Sequence, residues 1–457
     1  MNTVELENVE TNYKPFKLLW SFLYSTLIPF CISTLIINLT ITFVYIVIHR
    51  NSDLIAILST ENWATTCFYA WKSVRWNQWQ YPCWAFCLLI WSVASLTLLP
   101  SQHIAGPYAI SGYQPHYKLN GVKFYILSMA YWVPIILYFP MSNVYLSLVT
   151  ITGYSTLGSL IVSIILLLKG YFRPSPGVFG SSNNVLVDFL HGIELYPRLG
   201  FNNTVDVKII FISRFGFFLW QLILLIVGKA SYEFYLTSYQ SGQVNCSLWV
   251  VIALQTIYIA KHYIWEKHFI ETVDIAQNKF GFIQCYKAMV WIPIVSSLGA
   301  IYLVKHGPTM KNFGFNHACV ILVSGIISIC LLCLADLQKT VVRSTNGTSN
   351  LKLTGSIKVL QVKYLDEDLQ PQETVLLISG LWSFVRHPNY TFELTTALLW
   401  SIPACTVNPI SYFYPSLLFI YLVHRMNWIH DKCTFKYGKQ WEEYCRLVPY
   451  RLIPYFY

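Results

Sequence analysis

Long apolar runs separated by short polar blocks set the pattern of this chain. A membrane-crossing helix needs about 20 apolar residues. Such runs occupy 18–48, 82–99, 122–143, 146–168, 209–228, 244–260, 288–304 and 317–335. A further run, 391–423, is too long for one helix and carries Pro403, Pro409 and Pro415, so it predicts two short spans with a break. The expected fold is all-α, a polytopic membrane bundle of about ten helices joined by short polar loops. Alternation in 352–375 (KVLQVKYL, then the acidic DEDLQPQE) predicts a small hairpin or loop.

Two polar blocks flank 391–423: LLISGLWSFVRHPNYTFE before it and HRMNWIHDKCTFKYGKQWEEYCRLVPYRLIPYFY after it. Basic, aromatic and amide side chains concentrated in a chain that is mostly membrane predict a use for them. The expected organisation is a transmembrane bundle, 1–335, with a greasy substrate cavity, and a C-terminal half, 336–457, that holds an anionic cofactor.

Composition sharpens this reading. Charged residues are 11% of the 457 and hydrophobic ones 55%, against about 25% charged in soluble domains. Aromatics at 17% fit interfacial belts and a flat apolar cavity. The net charge of +10 sits almost wholly outside the apolar runs, so it reads as membrane topology and not as nucleic-acid binding. Lys339, Arg343, Lys352, Lys358, Lys363 and Arg386, with Arg425, Lys432, Lys436, Lys439, Arg446 and Arg451, make up 12 of the 31 basic residues. A two-span hairpin puts both groups on one side, expected to be cytosolic. There is no GxGxxG or GxxxxGK[ST] motif, which argues against a Rossmann or P-loop domain. The twelve Cys are scattered and form no disulfide framework. The polar, acidic start suggests no cleavable signal, so the first span is expected to direct insertion. Of the sequons at Asn202, Asn245 and Asn346, the last falls in an expected cytosolic loop and is read as unused.

The candidate chemistry follows from residue type. Lys and Arg pair with phosphates, Trp and Tyr stack on rings, and Asn can read an amide. Lys339 and Arg343 are four apart and share a face if their segment is helical. His424, His430, Asp431 and Cys433 match no standard zinc spacing. Loops around 166–174, 188–200 and 261–282 also bring charges to membrane depth, where snorkelling Lys and interfacial aromatics explain many of them.

Motifs along most of the chain resemble the sterol reductase family, which includes Δ7- and Δ14-sterol reductases and the lamin B receptor's membrane domain. They are GPYAISGYQPHYKLNG (106–121), KGYFRP (169–174), GIELYPRLG (192–200), Asp274, Ile275, Phe280 and Gly281, WIP (291–293), LQKTVVR (337–343), SGLWSFVRHPNY (379–390) and the final KYGKQWEEYCRLVPYRLIPYFY. GIELYPR and the overall spacing are most similar to the Δ7 branch. The resemblance implies ten membrane helices, an endoplasmic reticulum location, a sterol substrate and NADPH as hydride donor. It places cofactor contacts on Lys339, Arg343, Trp382, Asn389, Arg425, Lys436, Tyr437 and Tyr444.

Three acidic places of that family are changed. Trp428 and Ile429 stand where the family has Arg-Asp, Ala260-Lys261 stand after Tyr258-Ile259, and Lys287-Ala288 replace Gly-Asp. The proton for alkene reduction must then come from elsewhere. Tyr258 and Glu266 are the expected catalytic residues, with Glu194, Glu393, His430 and Asp431 as further sources. Two other functions stay open: a homologue that binds sterol or NADPH with weakened turnover, and, from Arg386-His387-Pro388-x-Tyr390 with Glu393, a membrane methyltransferase using S-adenosylmethionine.

Overall fold

The computed structural model describes residues 23–50, 62–107, 112–177, 180–200, 205–237, 246–306, 314–347, 357–365, 371–404 and 409–456. Among the described residues eight helices are long and apolar enough to cross a membrane, and the chain is a multi-pass, mostly helical membrane protein. In chain order the principal helices are α1 (Ile28–His49), α2 (Gln80–Leu98), α3 (Gly121–Tyr138), α4 (Leu148–Phe172), α5 (Phe218–Thr237), α6 (Cys246–Ile264), α7 (Leu298–His306), α8 (Phe315–Ser344), α9 (Pro388–Ser401), α10 (Phe413–Tyr437) and α11 (Lys439–Leu447). The chain forms two compact units, Met1–Gln240 with Ile259–Ser297, and Ser241–Tyr258 with Leu298–Tyr457.

In the first unit two stretches wind as π-helix, Ile209–Phe217 leading into α5 and Lys287–Val295 containing Pro293. They meet at Gly216, where a Cβ would lie 2.3 Å from the Ala288 carbonyl oxygen. Only glycine permits that approach. The polar loops fold into short antiparallel pairs, β1 (Gln102–Ala105) with β2 (His116–Leu119) and β3 (Arg198–Leu199) with β4 (Val205–Asp206). Residues 108–111 of the first motif and the sequons at Asn202 and Asn245 lie outside the described residues.

In the second unit α8 packs along α9. Ser328 Oγ lies 2.9 Å from Thr396 Oγ1, and small hydroxyl residues of this kind let membrane helices approach. A Cβ on Gly325 would sit 2.4 Å from Leu254 Cδ2, so this glycine admits α6 against α8. The alternating stretch is a β-hairpin, β5 (Val359–Leu365) with β6 (Pro371–Leu377), running from the pair Val359 and Leu377 to the pair Leu365 and Pro371. Its tip, 366–370, lies outside the described residues. The apolar run 391–423 breaks into α9 and α10 as its prolines predict. Pro403 and Pro409 occupy the intervening 3-10 turns, and Pro415 lies in the first turn of α10, where a missing N–H costs little. The second of these helices is longer than a short span. The polar sequence after 423 holds no glycine or proline before Gly438, so α10 continues to Tyr437.

Candidate functional site

The site candidates of the second unit are assembled on α8. Helical winding sets Lys339 and Arg343 one turn apart on it. The turn Ser379–Trp382 docks on the same helix: Leu381 N–H donates to Gln338 Oε1 (3.3 Å) and Trp382 Nε1 to the Ala335 carbonyl (3.0 Å). Gly380, at φ +65°, makes that turn, and a Cβ there would strike Gln338 at 2.9 Å. The buried Trp382 ring is thereby held 5.7 Å from Lys339 Nζ, within cation–π range.

Helices α9 and α10 add the rest. Asn389 stands in the first turn of α9, and its Oδ1 is buried with no hydrogen-bond partner among the described residues. Arg425 on α10 lies 5.6 Å from the Tyr390 ring and 5.9 Å from the Tyr421 ring, and its Nη1 donates to Tyr421 Oη (3.2 Å). Lys436 Nζ is 4.0 Å from the Tyr364 ring of β5 and 5.5 Å from Tyr437. Gly438, at φ +54°, turns the chain into α11, whose Trp441 and Tyr444 stack 5.1 Å apart over Val362, Leu376 and Val448. Burial pushes the Tyr444 hydroxyl up, so it stays a neutral donor.

The C-terminal segment is stitched to the RHP sequence. Arg386 N–H donates to the Tyr450 carbonyl and His387 N–H to that of Arg451. Arg386 Nη2 reaches the Pro449 carbonyl (2.9 Å), and Thr391 Oγ1 reaches that of Leu452 (2.6 Å). Arg451 Nη1 donates to Asn427 Oδ1 (2.6 Å). The result is a convergence of positive charge. Burial, then Lys339, Arg386, Arg451 and Arg425, push His387 down to about 3, so its imidazole is neutral at physiological pH. Among the described residues, Lys339, Arg343 and Lys436 make no salt bridge.

The expected proton donors separate. Tyr258 is the last α6 residue of the second unit, and its hydroxyl donates to Glu393 Oε1 on α9. Trp400 meets the Tyr258 ring edge-on at 5.5 Å and lies over Tyr414 at 5.8 Å. Glu266 belongs to the first unit, where its carboxylate is committed. Arg214 Nη2 donates to Oε1 and Gly121 N–H to Oε2 (2.7 Å), and the guanidinium also reaches Asn120 Oδ1 (2.8 Å). Glu194 is likewise held by Lys169 (2.6 Å), and Lys287, at a changed family position, pairs with Asp274 (2.8 Å). Trp428 is exposed under Lys432, 5.1 Å away, and His430 Nδ1 accepts from Trp441 Nε1 (3.1 Å). Residue type alone did not single out Arg451 or Tyr390. The sequence offered Glu393 only as one of several acids and as the residue following Arg386-His387-Pro388-x-Tyr390.

Residues 17–457 match the family described as Ergosterol biosynthesis ERG4/ERG24. The chain is 31% identical over 401 residues to the 7-dehydrocholesterol reductase of Arabidopsis thaliana, covering 86% of each protein. It is 30% identical over 383 residues to the Delta(14)-sterol reductase TM7SF2 of Mus musculus, covering 82% of this chain and 86% of that one. With the Delta(14)-sterol reductase erg24 of Schizosaccharomyces pombe it shares 32% over 279 residues, 61% of this chain and 60% of that one. A match across almost the whole chain, with relatives of that identity and coverage, places this protein in the ERG4/ERG24 family of sterol reductases.

Proposed function

We propose that this protein reduces a ring double bond of a sterol with NADPH, and that the bond is the Δ7 bond of a 7-dehydrocholesterol-type sterol. The observation that carries the reading is the grouping of Lys339, Arg425 and Lys436 against aromatic rings with Arg343 one helical turn from Lys339, and Lys339, Arg343 and Lys436 make no salt bridge among the described residues. The donor set fits a dinucleotide. Guanidinium and ammonium groups bind phosphates, Trp382, Tyr437 and Tyr444 offer ring faces or hydroxyls, and the unpartnered Asn389 Oδ1 can accept from a carboxamide. NADPH, when bound, supplies the hydride.

The chain's own contribution is the proton and a dry setting. Tyr258 can give its hydroxyl proton to an alkene carbon when its partner Glu393 is in the protonated form, which then passes its own proton to the phenol oxygen and is reprotonated from solvent. The Trp400 ring packs against the Tyr258 ring and Tyr414 stacks on Trp400, aromatic cover of the kind that limits water's access to a substrate carbocation. An endoplasmic reticulum membrane location with a cytosolic C-terminus accords with the basic residues of 336–390 and 425–451. Trp428 and Ile429 favour one runner-up, a binder of sterol and nucleotide with weakened turnover.

The test is direct. Titration of NADPH into the purified protein should show affinity lost by several kcal/mol in Lys339→Ala/Arg343→Ala, since each charge-assisted bond contributes about 1.5–3 kcal/mol. Unchanged affinity removes these residues from the site. Membranes given NADPH with 7-dehydrocholesterol or a Δ14-sterol, read by mass spectrometry, decide the bond, and no product from either selects the runner-up.

A further inference from the structure

The β5–β6 hairpin has no role in the reading above, yet it closes on a cation that reading uses. Alternation along β5 puts Val362 and Tyr364 on one face and Lys363 on the other. Val362, fully buried, packs with Trp441 and Tyr444 of α11. Lys363 N–H donates to Gln440 Oε1 of the same helix at 3.0 Å, so the strand is pinned by both side chain and main chain. Next on the packed face stands Tyr364. Lys436 Nζ lies 4.0 Å from the centre of its ring and 5.5 Å from that of Tyr437, and the two rings meet edge-on at 5.5 Å.

The nearest acid of the hairpin is directed away from this lysine. Glu373 faces Lys363 across the strands and pairs with it at 2.9 Å, while Lys436 makes no salt bridge among the described residues. A ring attracts an ammonium without neutralising it. The Lys436 charge and its remaining N–H donors therefore stay available to an anion, and rings that hold the group beforehand lower the entropy lost on binding.

Which anion follows from position along α10. Arg425 lies against Tyr390, the residue after Asn389, which the proposed function assigns to the carboxamide. Lys436 is eleven residues further along the same helix, about 16 Å at a rise of about 1.5 Å per residue. A dinucleotide with its nicotinamide at Asn389 carries its adenosine at the far end of such a span. There NADPH and NADH differ by one group, the 2′-phosphate, a monoester with a charge of about −1.5 to −2 at neutral pH.

We propose that Tyr364 and Lys436 form the subsite for that 2′-phosphate, with Tyr364 as the positioning residue that presents the ammonium, so that the hairpin makes the site select NADPH over NADH. The inference rests on the nucleotide reading of this site.

The experiment is calorimetric titration of NADPH and of NADH into the full-length protein in detergent, at about pH 7.5, where the 2′-phosphate is largely a dianion. The quantity read is the ratio of the two affinities in each protein, which a loss of folded protein does not alter. The wild type should bind NADPH more tightly by about tenfold to a hundredfold, the range of one charge-assisted bond. Lys436→Met should bring the ratio close to one. Tyr364→Leu should lower it about two- to fivefold, the range of one exposed cation–π contact. Tyr364→Phe should restore it, because the ring remains. In the Lys436→Met background Tyr364→Leu should change the ratio no further, since the ring acts through the lysine. Equal affinity for the two nucleotides in the wild type overturns the proposal whatever the variants do. A ratio unchanged in Lys436→Met overturns it as well, and one unchanged in Tyr364→Leu marks the ring contact as surface packing and removes the hairpin from the site. Absence of any nucleotide binding to the wild type is a different failure, for it removes the nucleotide reading itself.

Discussion

The two units treat buried charge in opposite ways. In the first, charges are answered within the chain. Arg214, fully buried, has Glu266 and Asn120, Glu194 has Lys169, Lys287 has Asp274, and Lys208 Nζ lies 2.6 Å from the carbonyls of Ile275 and Asn278. In the second, Lys339 faces the Trp382 ring and Lys436, exposed, faces Tyr364, while burial and then Lys339, Arg386, Arg451 and Arg425 keep one histidine neutral. Buried ions are costly unless paired. Answered charges are therefore structural material. The cations of the second unit, with Asp336 beside Lys339, are gathered where an anion can bind, and any stability they cost is recovered when it does.

The comparison predicts different losses from the two pairs that contain a candidate acid. The largest effect is expected at Tyr258. Removing a general acid lowers turnover about 10²–10⁴-fold. Tyr258→Phe should do so with NADPH affinity and thermal stability close to wild type, and Glu393→Gln should lower turnover in the same direction. Steady-state rates on the reducible sterol, beside calorimetric NADPH titration, give the readout. A variant that keeps full turnover moves the proton elsewhere.

Next in size is Glu266→Ala. Breaking a buried ion pair by removing one partner costs about 3–5 kcal/mol, and the Arg214 guanidinium and the Gly121 N–H would both lose their acceptor. Denaturation in detergent should show that loss, whereas Lys339→Ala, which relieves repulsion, should leave stability unchanged or raised. Equal stability in both variants would erase the distinction between the units.

What the sequence made legible follows from the range of the interactions. Apolar runs predicted the spans, because about 20 such residues must cross the bilayer together. Lys339 and Arg343 were readable as one face because their spacing is helical. Pro403 and Pro409 marked the break between α9 and α10, and alternation marked β5 with β6. The pairings across long separations were not legible. Tyr258 and Glu393 stand 135 positions apart, and Arg214 and Glu266 stand 52 apart. Local patterning carries no information on which acid meets which partner, so Glu266 was set ahead of Glu393. The π-helical stretches were hidden too, since Ile209–Phe217 has the same apolar character as any span.

The smallest effect is expected where the chain departs from its relatives. If the proton passes through Tyr258 and Glu393, the double substitution Trp428→Arg/Ile429→Asp adds an acid the reaction does not need. Trp428 is exposed and α10 runs unbroken through both positions, so the change should be tolerated by the fold. Turnover should stay within about threefold of wild type, less than 1 kcal/mol in barrier. A rise of tenfold or more would mean that the wild-type chain runs short of protons. It would place the acid back on α10, and Tyr258 with Glu393 would then join Arg214 with Glu266 as a pair that only holds the structure together.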